Sequence, residues 1–90
     1  MLRIMVSESS VDGVIAKLEG QLRGPWVDEV RTYCEQILEN GHPLTLDVKD
    51  VTFLDRDAVT LLLKLTKRGI RLVNRTPFLT ELLRSDASGQ

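Results

Sequence analysis

The stretch from Leu44 to Leu65, LTLDVKDVTFLDRDAVTLLLKL, constrains the fold most, because an apolar alternation there gives way to an acidic turn and then to apolar residues at helical spacing. Leu44, Leu46 and Val48 recur with period two, as in a strand, whereas the apolar residues from Ala58 to Leu65 recur as on one face of a helix. A buried strand passing through a tight turn into a helix belongs to an α/β arrangement. Asp55 and Asp57 fall at the start of that helix, where unsatisfied N–H groups favour negative charge. Ligands and partners of an open α/β sheet meet the crevice outside the carboxyl ends of its strands, which directs attention to this turn.

The flanking segments extend the same pattern. Leu2, Ile4 and Val6 alternate with Arg3, Met5 and Ser7, an Asp12-Gly13 turn signal follows, and Val14 to Glu19 alternates again, which predicts a hairpin. Gly20 to Gly24 reads as a loop. Pro25 suits the first position of a helix whose apolar stripe is Trp26, Val30, Tyr33, Cys34, Ile37 and Leu38, and Asn40-Gly41 ends it. After the strand Leu44 to Val48 come a helix from about Asp57 to Lys67, a short strand from Ile70 to Val73, and a last helix opened by Thr76-Pro77 with Phe78, Leu79, Leu82 and Leu83 as its buried stripe. The expectation is a single α/β domain over residues 1–84, a mixed sheet of about four strands covered by about three helices, followed by a disordered tail over 85–90. Its core should centre on Leu46, Val48, Phe53, Leu62 and Leu65.

Composition narrows the function. Ninety residues form one domain that can bury only about 60 to 65% of its unfolded surface. Twelve basic against thirteen acidic residues do not make the basic surface that nucleic acid requires. No apolar run approaches the roughly 20 residues of a membrane span, and the start of the chain reads as a strand rather than a signal peptide, so a cytoplasmic location without membrane insertion is expected. The single cysteine, Cys34, leaves no internal disulfide and lies on a helix stripe, where a free thiol packs as a small hydrophobe. His42 stands alone between a helix end and Pro43, with no second histidine to complete a ligand set. Trp26 can anchor the first helix or stand at its exposed end; the residues leave both readings open.

Asp55 and Asp57 form the closest carboxylate pair in the expected crevice. General acid–base chemistry would need one raised pKa, yet Arg56 lies between them and a helix N-terminus lowers carboxylate pKa values. A capping role for Asp55 and dipole complementation by Asp57 is the plainer alternative. A magnesium site would require Asp47, Asp50, Asp55 and Asp57 to converge. With no phosphate-cradling glycine loop and no Gly-x-Ser-x-Gly elbow, neither a catalytic residue nor a bound metal or cofactor is expected.

The central stretch resembles the signature of the STAS family, which comprises bacterial anti-sigma factor antagonists and modules on sulfate transporters. The residues that carry the resemblance are Leu46, Asp47 and Val48 at the strand end, then Val51, Phe53 and Asp55, then Arg56, Asp57, Ala58 and Val59 at the helix start. Leu18-Glu19-Gly20 and the Gly69 to Asn74 segment also match, and the order of elements agrees over nearly the whole chain. The resemblance implies a non-catalytic protein-interaction module, anti-sigma factor antagonist-like, in bacterial regulation of transcription or stress signalling. Phe53, Asp55, Arg56, Asp57, Ala58 and Val59 would bind the partner, an anti-sigma factor with serine kinase activity. In such antagonists the second residue after the signature Asp is a serine whose phosphorylation breaks the complex. Here that phospho-acceptor position is Asp57, and the family's following glycine is Ala58. The alternative within the family is an accessory subunit of an ABC-type transport system, riding on its ATPase. Outside it stands a small hydrolase or metal enzyme built on the acidic turn.

Overall fold

The computed structural model describes residues 1–88, with side chains as far as Arg84. Two strands, β1 (Leu2–Ser10) and β2 (Gly13–Leu22), form the expected hairpin. They are followed by helix α1 (Pro25–Glu39), strand β3 (Leu44–Leu54), helix α2 (Arg56–Lys67), strand β4 (Arg71–Val73) and helix α3 (Pro77–Ser88). The sheet order is β1-β2-β3-β4, with β1 antiparallel to β2 and both later pairings parallel. The mixed four-stranded sheet with three helices is therefore as the sequence predicts.

Alternation along the strands separates the two faces of the sheet. Ala16, Leu18, Leu44, Leu46 and Val48 are buried together with Val30 and Cys34 of α1, Leu62 and Leu65 of α2, and Leu79 of α3. Their neighbours Lys17, Glu19, Asp47 and Asp50 are only half-buried, so the helices share one face and leave the other open to solvent. On that open face the Lys17 ammonium lies 2.8 Å from Asp50 and 3.6 Å from Glu19, and Arg3 reaches Glu19 at 3.9 Å.

Both long helices stop in the same way. The amides of Gly41 and His42 return to the carbonyls of Leu38 and Ile37, and those of Gly69 and Ile70 return to Thr66 and Leu65, giving two Schellman ends with glycine at positive φ. The last helix starts on the predicted cap, with the Thr76 hydroxyl accepting the Leu79 amide at 3.2 Å. It runs to Ser88 and so takes in the first residues of the expected 85–90 tail, and Gly89 and Gln90 lie outside the described residues.

Several expectations need correction. The segment Gly20–Gly24 is not wholly a loop, because β2 runs on to Leu22, whose side chain is fully buried. A Cβ at Gly20, where φ is +107°, would stand 2.3 Å from the Met1 carbonyl oxygen; only glycine lets the two strands approach so closely. Strand β3 likewise runs six residues past Val48, so Asp50 to Leu54 belong to the sheet and not to a turn. Its register against β2 slips between Lys17 and Glu19, which face Asp47 and Asp50, and again between Gly20 and Gln21, which face Val51 and Phe53. Each slip inserts an extra residue into β3 and resets which side chains face inward. Val48, Val51 and Leu54 are consequently buried at intervals of three, and Phe53, expected in the core, is 40% exposed. In β1, Val6 is 55% exposed and its neighbours through Asp12 are exposed as well, so this end of the hairpin contributes nothing to the core. In α3, Phe78 lies off the buried stripe and Leu82 is only half-buried, leaving Leu79 and Leu83 as its core residues.

Candidate functional site

The carboxyl ends of β2 and β3 lie side by side and feed α1 and α2, which brings the N-termini of two helices together. Leu22 faces Leu54 at the end of the ladder, and the Asp55 amide donates to the Leu22 carbonyl at 3.3 Å. Asp55 is the N-cap of α2. One of its carboxylate oxygens accepts the Ala58 amide at 2.8 Å and the other accepts the Gly24 amide at 2.9 Å. Gly24 is itself the N-cap of α1 and has no side chain to offer its own helix. A single carboxylate therefore caps one helix and ties down the entrance to the other. With both oxygens taken by backbone N–H groups, Asp55 is a structural residue of the site.

The other residues of the acidic turn divide by exposure. Arg56 and Asp57, the first two residues of α2, are exposed, and Thr60 one turn later is half-buried. Ala58 is completely buried and Val59 nearly so, so these two support the helix start from beneath and present no side chain to a partner. Asp57 lines a cleft of about 270 Å³ between α1 and α2 with Gly24, Asp28, Arg31, Thr60 and Lys64. Within it Asp28 pairs with Arg31 one turn along α1. On the opposite side of Gly24 an open groove of about 480 Å³ is lined by Met1, Arg23, Pro25, Trp26, Phe53 and Asp55. There the Arg23 guanidinium sits 5.8 Å from the centroid of the Phe53 ring. Trp26, at the start of α1, is half-buried, packed against the core and also lining this groove, so it combines the two positions open to it.

The geometry assigns different tasks to the four carboxylates that a magnesium site would have needed. Asp47 accepts the Lys49 amide at 3.0 Å across the first slip in β3, and Asp50 is bound to Lys17 on the open face of the sheet. Asp55 is committed to its caps and Asp57 points into the α1–α2 cleft. Among the described residues no group of three or more His, Cys, Asp or Glu side chains is placed to hold a metal ion. Cys34 is buried beneath α1, and burial pushes its thiol pKa up to about 12, so it stays protonated at neutral pH. His42 follows the far end of α1 from this site.

Sequence reasoning missed Arg23, Gly24 and the groove beside them. Reading Gly20 to Gly24 as a loop concealed that β2 carries Arg23 up to the acidic turn. Leu22 was the available signal, since through Gly20 it continues the period-two stripe of Ala16 and Leu18.

Comparison with solved structures fits this arrangement. The chain matches the anti-sigma factor antagonist SpoIIAA in its unphosphorylated form with a TM-score of 0.73, at 17% sequence identity, over 91% of this chain and 82% of that one. This is the STAS fold. The likeness at so low an identity is one of backbone architecture, and it extends through nearly all the elements of the STAS fold described above. No family model and no curated protein matches the sequence. No helix among the described residues is long and apolar enough to cross a membrane.

Proposed function

We propose that this protein is a non-catalytic STAS-type interaction module, anti-sigma factor antagonist-like, acting in bacterial regulation of transcription or stress signalling, and that it docks on its partner through the start of α2. The observation that carries the reading is the division of labour at that turn. Asp55 is consumed in holding two helix N-termini, whereas Arg56 and Asp57 are exposed and free to meet another surface. The fold shared with SpoIIAA supports an antagonist of this kind, and the partner is then an anti-sigma factor with serine kinase activity. Phe53, at the end of β3, extends the same surface.

Asp57 stands where the resemblance places the antagonists' phosphorylatable serine. A phosphoserine carries about −1.5 to −2 charge on three oxygens, and an aspartate about −1 on a shorter arm, so Asp57 imitates the modified state in part and holds the module in one binding state. A partner recovered by pull-down should distinguish wild type from Asp57→Ser and Asp57→Ala in affinity, while the stability of both variants stays within about 0.5 kcal/mol. Equal affinity for all three would reduce the acidic turn to a cap. Release of the partner by kinase phosphorylation at another residue would end the single-state reading.

A further inference from the structure

We propose that the groove between Trp26 and Phe53 is the specificity pocket of this docking surface, and that it receives an apolar or aromatic side chain from an acidic segment of the partner. The inference rests on the reading above and adds the chemistry of what docks. Three observations carry it. Phe53 is turned outward by the second slip in β3 and remains 40% exposed, so a large aromatic ring faces solvent at the edge of the acidic turn. Opposite it stand half-exposed Trp26 and exposed Met1, which with Pro25 give the groove apolar walls. An aromatic-lined concavity of this kind accepts a side chain that can be stripped of water.

Charge defines the remainder of the occupant. Arg23 overhangs the groove against the Phe53 ring, and Arg56 follows Asp55 at its border; among the described residues neither has an acidic side chain within ion-pair distance. The one carboxylate in the lining, Asp55, has both oxygens engaged by backbone amides, and Asp57 lines the other cleft, across Gly24. The groove thus presents the Arg23 guanidinium over an apolar floor, with Arg56 exposed at the start of α2 next to Asp55, and carboxylates flanking an apolar anchor complement this charge.

Trp26 is the only tryptophan, so its fluorescence reports on the groove without a label. The full chain is titrated with two synthetic hexapeptides, one a phenylalanine flanked by aspartates and glutamates, the other the same phenylalanine flanked by lysines. The acidic probe should shift Trp26 emission saturably and lose affinity as salt is raised, and the basic probe should not bind. Arg23→Glu and Phe53→Ala should each weaken the acidic probe by roughly tenfold or more. Circular dichroism confirms that both groove variants are folded. Indifference to probe charge, absence of binding, or insensitivity to both groove variants overturns the proposal. So does a concentration-dependent dimer that Phe53→Ala dissociates, which would make a second copy the occupant. The pull-down partner separates this failure from that of the broader reading: sensitivity to Asp57→Ser but not to Arg23→Glu or Phe53→Ala preserves docking at α2 and removes the pocket, whereas sensitivity to neither removes both.

Discussion

Asp55 shows how one side chain can hold a site together. Its two hydrogen bonds join the start of α2 to the start of α1, so Asp55→Ala should lower stability by about 1 to 2 kcal/mol, the worth of a lost N-cap with a second bond beside it. Asp57→Ala, which removes an exposed charge, should stay within about 0.5 kcal/mol. Urea denaturation of the two variants checks this, and coincident midpoints would deny Asp55 its structural role. Lys17 and Asp50 make a separate prediction about pH. The hydrogen bond and charge of Asp50 raise Lys17 above 10.5, and the hydrogen bond and charge of Lys17 hold Asp50 below 3.8. The Asp50 contribution is present above its unfolded pKa and fades as pH falls through the lower folded value. That of Lys17 is present below its unfolded pKa and fades as pH rises through the higher folded value. The stability difference between wild type and Lys17→Met should therefore be flat from about pH 5 to 9 and shrink on both sides; a change centred near neutrality would contradict the pairing. Cys34, buried with its pKa pushed up to about 12, should resist thiol reagents until the protein is unfolded.

At the scale of elements, β3 governs the molecule. It pairs with β2 and β4, lies under α1 and α2, and delivers the chain to the acidic turn. Leu46 sits fully buried near its start, so Leu46→Ala should cost about 2 to 5 kcal/mol, a large share of what a domain this small has. Phe53→Ala in the same strand should cost less than about 1 kcal/mol, because the second bulge turns that ring out of the core. Equal losses measured by chemical denaturation would mean that the strand is regular and that Phe53 faces inward. Gly20 is the matching constraint on β2. Gly20→Ala meets the Met1 carbonyl at 2.3 Å in a backbone region that alanine avoids, and should destabilise by more than about 1 kcal/mol.

The whole molecule is a two-layer α/β domain with its helices on one side of a mixed sheet, and it should unfold in one cooperative transition with a mixed helix and strand circular dichroism spectrum. An all-helical spectrum, or separate transitions for the hairpin and the helical layer, would be incompatible with a single core. Element order, the α/β class and the core placement of Leu46, Val48, Leu62 and Leu65 were determined by the sequence alone, because period-two and period-3.6 patterns are imposed locally by which side chains share a face. Helix ends were equally legible at Asn40-Gly41, Gly69 and Thr76-Pro77, since caps are satisfied by neighbours within a few residues. What only the tertiary structure decided was the outward turn of Phe53, the extension of β2 and β3 to the acidic turn, and the second hydrogen bond of Asp55. Each depends on a partner roughly thirty residues away in sequence: a bulge exists only relative to the strand it slips against, and the Gly24 amide reaches Asp55 only once β2 and β3 lie side by side.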